Sequence, residues 1–101
     1  MLVHLRVKKW SQFTDSSKIK IFIEKPPEYC LKRSQISLMS SDNYIRMSGK
    51  GSFTFELFLH SKIDSDTILR INENDIEIQA NKVTISEWPY LEAQIDNDSI
   101  F

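Results

Sequence analysis

The feature that most constrains the fold is a strict alternation of side chains over residues 53–60. Phe53, Phe55, Leu57 and Leu59 alternate with Thr54, Glu56, Phe58 and His60. Successive side chains of a β-strand point to opposite faces, so this period of two predicts a strand with one buried face. The run is the longest of its kind in the chain and predicts a central strand. Phe58 stands out because it is apolar and yet falls on the polar face.

Shorter runs elsewhere in the chain show the same alternation, and each predicts a half-buried strand. They are Val3, Leu5 and Val7; Ile19, Ile21 and Ile23; Ile36 and Leu38; Ile45 and Met47; and Ile76, Ile78 and Ala80. Residues that favour turns separate them, at 14–17, 25–28, 40–43, 48–51, 64–66 and 72–75. No window has the apolar spacing of a helix.

The rhythm of strands and turns predicts the fold class. Short strands that recur about every ten residues indicate a sandwich or small barrel. Parallel neighbours in one sheet would need long crossover connections, for which a chain of 101 residues has little room. The sequence therefore predicts an all-β fold, an antiparallel, immunoglobulin-like β-sandwich of about seven strands in one domain.

Composition limits the partners and the compartment. Thirteen basic and fourteen acidic side chains leave a net charge of −1, so no overall field attracts nucleic acid or an anionic membrane. The single cysteine, Cys30, cannot form an internal disulfide, and cations interrupt the apolar residues of the amino terminus. These features predict a protein of the cytoplasm or nucleus that binds neither nucleic acid nor membrane.

No pattern in the sequence points to catalysis, a metal or a cofactor. His4 and His60 are far apart in the chain, without a further ligand at metal-binding spacing. The acidic stretch at 64–75 departs from a calcium loop, since Ile68 and Leu69 occupy its fifth and sixth positions. Cys30 has no identifiable base beside it, so a packed or idle thiol is the simplest interpretation. We therefore expect a protein that is not an enzyme and that uses no cofactor.

Two tryptophan motifs carry a resemblance to a known family. Trp10-Ser11-Gln12-Phe13 precedes the isoleucine strand, and the last strand region leads into Trp88-Pro89-Tyr90-Leu91. This order of tryptophan, alternating strands and a closing W-P-x-L motif resembles the CS domain, shared by the small acidic co-chaperone of heat-shock protein 90 and by related adaptors. The resemblance implies a CS domain over residues 1–91, with the HSP20-like sandwich fold, and a short flexible tail over residues 92–101.

Within the CS family, residues 43–46, 53–59 and 62–64 are similar to the amino-terminal CS domains of dynein axonemal assembly factors. That similarity implies a role in dynein assembly for the cilium. The acidic co-chaperone is also credited with a prostaglandin isomerase activity, carried by a tyrosine just after its first tryptophan. Ser11 stands at that position here. The resemblance therefore implies no enzymatic activity for this chain.

The resemblance implies a monomeric co-chaperone or adaptor that binds a heat-shock protein 90-type chaperone, a client protein or both. Aromatic and arginine side chains on an outward face favour such contacts. The candidate contact residues are Trp88, Pro89, Tyr90, Leu91, Phe58, Tyr44 and Arg46. Two simpler interpretations stay open: Trp10 and Trp88 close the ends of the core, and Phe58, Tyr44 and Arg46 pack under loops.

A second functional hypothesis shares the sandwich architecture. An α-crystallin-like small heat-shock domain would act by oligomerisation, through strand exchange and a terminal Ile-x-Ile motif. The tail from Ile95 to Phe101 lacks that motif. The size of the protein in solution separates the two hypotheses.

Overall fold

The computed structural model describes residues 2–25, 32–49 and 53–93, which form short strands and one 3₁₀ turn. The strands are β1 (Val3–His4), β2 (Val7–Gln12), β3 (Lys18–Glu24), β4 (Ser37–Ser41), β5 (Tyr44–Gly49), β6 (Phe53–Phe58), β7 (Ile68–Ile71) and β8 (Asp75–Asn81). The 3₁₀ turn, Arg33–Gln35, precedes β4. Within these ranges no helix is long and apolar enough to span a membrane.

The strands form two four-stranded sheets. Sheet A has the order β1-β6-β5-β4, and sheet B has the order β2-β3-β8-β7. The predicted all-β sandwich is confirmed, with eight strands over the described residues where the spacing predicted about seven. The prediction of a central strand over residues 53–60 is confirmed for Phe53–Phe58, because β6 lies between β1 and β5, while Leu59 forms only an isolated bridge.

One pair of neighbours is parallel, in contrast to the antiparallel prediction for all strands. β1 runs parallel to β6, with Val3 opposite Phe53, while β2 starts at Val7 opposite Ile23 in sheet B. The run of Val3, Leu5 and Val7 is thus divided between the two sheets, with Leu5 buried at the crossing. Two parallel strands that follow each other in the chain need a long crossover connection. β1 and β6 are far apart in the chain, and the strands between them include β2 and β3 of sheet B, so no such connection is needed.

The predicted apolar faces form the core between the sheets. Ile19, Ile21 and Ile23 of β3 are completely buried and lie opposite Ala80, Ile78 and Ile76 of β8. Sheet A contributes Ile45, Met47, Phe53, Phe55 and Leu57. A Cβ at Gly49 would overlap the ring of Phe53, its cross-strand neighbour, so this glycine leaves room for a buried aromatic ring. The alternation therefore identified these core positions correctly, whereas Val3, in the first predicted run, is 39% exposed.

The predicted turns at 14–17 and 40–43 join antiparallel neighbours. Ser16 and Asp42 have φ values of 60° and 49°, a left-handed conformation that suits short polar residues in tight turns. Asp15 Oδ1 accepts hydrogen bonds from the hydroxyl and the backbone N–H of Ser17, and both bonds lower the pKa of the Asp15 carboxyl. The Pro26-Pro27 turn, Cys30, the 50–52 part of the 48–51 turn, and the tail beyond Ala93 lie outside the described residues.

Candidate partner-binding surface

The outward side chains of β4, β5 and β6 form a mixed aromatic and polar surface, which we call the outer face of sheet A. It consists of Met39, Tyr44, Arg46, Glu56 and Phe58 together with smaller polar residues. These side chains point outward because each alternates with buried neighbours such as Ile45 and Leu57. Phe58 is 59% exposed and Met39 is 52% exposed. Three of the predicted contact residues, Phe58, Tyr44 and Arg46, are therefore brought together on one face.

An aromatic pair anchors this face. Tyr44 lies directly opposite Phe58 in the β5–β6 ladder, with ring centroids 4.9 Å apart and planes tilted by 42°. The Tyr44 hydroxyl donates a 2.6 Å hydrogen bond to Glu56 Oε2. That bond stabilises the protonated phenol and raises the pKa of Tyr44 above its usual value. The pair thus presents two rings held in place by cross-strand packing and by a carboxylate.

Sequence reasoning missed Met39 and Glu56. Met39 lies opposite Arg46, and Arg46 lies opposite Glu56, so these three side chains form one row across the sheet. A signal for Met39 was present, because it is apolar and out of phase with Ile36 and Leu38, as Phe58 is with its own neighbours. Glu56 offered no such signal, since a charged residue on a polar face is ordinary.

Two shallow grooves flank the row of Met39, Arg46 and Glu56. The larger, of about 380 Å³, surrounds Phe58 at one end of β6; it is lined by Asn43, Glu56, Leu57, Phe58, Glu92 and Ala93. The smaller, of about 190 Å³, lies beside Met39; it is lined by Ser37, Leu38, Met39, Arg46 and Ser48. The outer face of sheet A is therefore indented on both sides of its charged centre.

The W-P-x-L segment is divided between the core and the surface. Trp88 is 1% exposed and Leu91 is 6% exposed, and both belong to the core cluster. Pro89 and Tyr90 are exposed. The His60 ring packs 5.7 Å from that of Trp88 and 5.5 Å from that of Tyr90. The structure therefore leaves Pro89 and Tyr90, but not Trp88 and Leu91, accessible to a partner.

Backbone pairing fixes the segment that follows Trp88 against the end of β6. The Leu91 carbonyl accepts a hydrogen bond from His60 N–H, and Ala93 N–H donates to the Phe58 carbonyl. Leu59 and Glu92 form an isolated antiparallel bridge between these bonds. Residues 91–93 therefore run beside the end of β6, and Glu92 and Ala93 line the larger groove.

A partly buried polar network holds Trp88 and was not anticipated. Gln12 Oε1 accepts hydrogen bonds from Trp88 N–H at 2.9 Å and from Lys82 Nζ at 2.5 Å, while Gln12 Nε2 donates to the Trp88 carbonyl at 2.8 Å. Lys82 Nζ also donates to the Ser86 carbonyl and lies 5.2 Å from the centre of the Trp88 ring.

Trp10, the other predicted core tryptophan, is half-buried against the same core. A signal for Gln12 existed, because it follows Trp10 by two residues and so shares its inward face.

Burial of the Lys82 ammonium predicts a pH dependence of stability. Lys82 is 6% exposed, and desolvation lowers its pKa in the folded state, against the opposing effect of Glu87 and Asp15. Between the lowered folded pKa and the ordinary value, the unfolded chain binds more protons, so stability rises with pH in that interval. The free-energy cost of burying the charged Lys82 ammonium is fully present below the folded pKa. It decreases as the pH rises from the folded pKa towards the ordinary value.

We therefore expect the Lys82 contribution to appear as a difference between two pH profiles. The free energy of unfolding of the unaltered protein, measured in urea from neutral to alkaline pH, should rise more steeply than that of Lys82→Met. Other titrating groups are common to both proteins and cancel in the difference. Parallel profiles would contradict the burial of a charged Lys82.

The two histidines have different surroundings. His4 lies exposed in β1, whereas His60 Nδ1 is 2.7 Å from Ser61 Oγ, on the ring that packs against Trp88. Over residues 2–25, 32–49 and 53–93, no group of three or more His, Cys, Asp and Glu side chains is placed to hold a metal ion.

A comparison of the chain with models of known protein families finds no match, and a comparison with curated proteins finds none either.

Proposed function

We propose that this domain is a non-catalytic protein-binding module, a co-chaperone or adaptor for a heat-shock protein 90-type chaperone, its client proteins or both. The CS-like order of Trp10, the alternating strands and the W-P-x-L motif supports that class of partner. The similarity of residues 43–46 and 53–59 to dynein assembly factors supports axonemal dynein subunits as clients. The observation that carries the proposal is the Tyr44–Phe58 pair beside Arg46 on the outer face of sheet A, in which Phe58 is exposed and Tyr44 is half-buried.

The physical basis of the proposed protein-binding role is the free-energy cost of exposing large apolar side chains to water on a rigid surface, which a bound partner removes. Phe58 is 59% exposed although a smaller polar residue would satisfy the strand equally well. Tyrosine and arginine are enriched among residues that dominate binding energy, and aromatic rings lose little conformational entropy on binding. Because the opposite side of β5 and β6 packs into the core, the face is held in place before a partner arrives.

The exposed part of the W-P-x-L segment extends the same surface. Tyr90 is 46% exposed, and its ring contacts that of His60, two residues beyond Phe58. The core position of Trp88 therefore fixes the chain so that Pro89 and Tyr90 lie at the Phe58 end of β6. A partner that covers Phe58 can reach both residues.

Phe58→Ala is expected to weaken the complex with heat-shock protein 90 about tenfold, as for truncation of a central interface aromatic. The binding constant should be measured by calorimetry, with and without ATP. Val83→Ala is the matched control, because Val83 is also 59% exposed but lies outside β6. The proposal fails if the unaltered domain does not bind under either condition, or if both variants lose affinity equally.

The edges of the two sheets favour a second candidate function, oligomerisation of the small heat-shock type. β4 and β7 are edge strands, and they carry the exposed apolar side chains of Met39 and Ile68. Unpaired edges of this kind can add a strand from another chain. A sizing column separates the candidates: elution as an 11.9 kDa monomer supports the binding module, and large assemblies support the second function.

A further inference from the structure

The larger groove on the outer face of sheet A combines an exposed ring with negative charge. Phe58 lies in it, and the carboxylates of Glu56 and Glu92 line it. Its other described lining residues, Asn43, Leu57 and Ala93, are uncharged. Every formal charge among these lining residues is therefore negative, beside an aromatic face that is largely open to solvent.

The arrangement of Glu56 leaves part of its carboxylate available. Tyr44 hydroxyl donates to Oε2, and Oε1 has no hydrogen-bond partner among the described residues. Arg46 lies opposite Glu56 in the ladder, but no ion pair closer than 4 Å joins Glu56 to another described residue. The charge of Glu56 is therefore not neutralised by a contact ion pair on its own face.

We infer that this groove binds an arginine or lysine side chain presented by a basic segment of a partner protein. The inference rests on the proposed function, in that the partner is a protein that docks on the outer face of sheet A. A cation placed over the Phe58 ring gains from the ring quadrupole. A guanidinium can also stack on the ring while its edge donates to Glu56, which favours arginine over lysine.

Other classes of side chain fit the groove less well. An acidic side chain would be repelled by the carboxylate of Glu56, which has no contact ion pair. An apolar side chain would cover the carboxylate of Glu56 without giving it a hydrogen-bond donor, which costs free energy. Charge complementarity therefore selects a basic segment as the occupant.

The first test is an NMR titration of the ¹⁵N-labelled full chain with the peptide acetyl-Gly-Arg-Gly-amide. We expect saturable shifts centred on the amides of Tyr44, Glu56, Phe58 and Ala93. The matched probe replaces arginine with citrulline, which keeps the shape and removes the charge, and a third probe carries glutamate. Equal shifts with the citrulline peptide, or shifts centred on sheet B, would overturn the inference.

The second test uses variants of the groove. Glu56→Gln keeps an acceptor for Tyr44 and should weaken binding of the arginine peptide about three- to fivefold, as expected for loss of an exposed ion pair. Phe58→Leu keeps an apolar side chain and should weaken it about two- to fivefold, through loss of the ring face. Ser48→Ala, in the smaller groove, should leave the affinity unchanged. Unaltered binding to Glu56→Gln would contradict the assignment.

Failure of this inference can be distinguished from failure of the proposed function. If Phe58→Ala weakens the heat-shock protein 90 complex while Glu56→Gln does not, the protein-binding role stands and the cationic contact is overturned. If the arginine peptide binds as described and the chaperone does not, the groove assignment stands and the proposed partner is wrong.

Discussion

Replacing Trp88 with alanine is expected to lower the free energy of unfolding by about 3 to 5 kcal/mol, the usual cost of truncating a buried aromatic residue. Trp88 is the largest of the fully buried side chains among the described residues, and its indole is packed in the core. Its removal leaves a cavity next to His60 and Lys82, which pack against the indole, and loosens the segment that continues into Tyr90. Because small domains have a total stability of about 5 to 15 kcal/mol, the variant should unfold well below the temperature of the unaltered protein.

Urea unfolding followed by circular dichroism measures this effect, with Tyr90→Ala as the matched control. Tyr90 belongs to the same segment but is 46% exposed, so its truncation should cost less than about 1 kcal/mol. The opposite pattern, a stable Trp88→Ala domain with weakened partner binding, would show that the indole acts in a surface contact. Such a result would contradict the packing role that its burial assigns.

Gln12→Leu is expected to lower the free energy of unfolding by about 2 to 4 kcal/mol, since it removes a hydrogen bond from each of three partly buried polar groups. The groups are the N–H and carbonyl of Trp88 and the ammonium of Lys82, which otherwise bond to the Gln12 amide. Leucine fills similar space, so the loss reports hydrogen bonding and not a cavity. Ser11→Ala, on the exposed side of β2, should change stability by no more than about 0.5 kcal/mol.

A double-mutant cycle tests whether Gln12 acts through Lys82. Gln12→Leu and Lys82→Met both remove the bond between the two side chains, so their effects on stability should be less than additive. Residues that share a network couple by about 0.5 to 3 kcal/mol, whereas independent sites add to within about 0.5 kcal/mol. Additivity would mean that Lys82 is held by the Ser86 carbonyl and the Trp88 ring alone.

The candidate surface could be found in part from the sequence. Phe58 was identifiable because it breaks the phase of its own strand, and Met39 carries the same signal. The register of β5 against β6 places Tyr44 opposite Phe58. This register brings Tyr44, Arg46 and Phe58 to one face, and the sequence alone does not show it. A shift of that register by one residue would send one strand's side chains to the other face.

By itself, the sequence determined most of the local features: the majority of the strands, most of the side chains that point inward, and the polar residues that turn the chain. It did not predict β7, whose four residues are too few for a clear alternation. Strand period and turn propensity act over a few residues, so neighbours in the chain specify them. Only the tertiary structure decided that residues 3–7 divide between two sheets, that β1 runs parallel to β6, and that Gln12 binds the backbone of Trp88. These contacts join positions as many as 76 residues apart, and their energy depends on packing and hydrogen-bond geometry that exist only when both sheets have closed on the core.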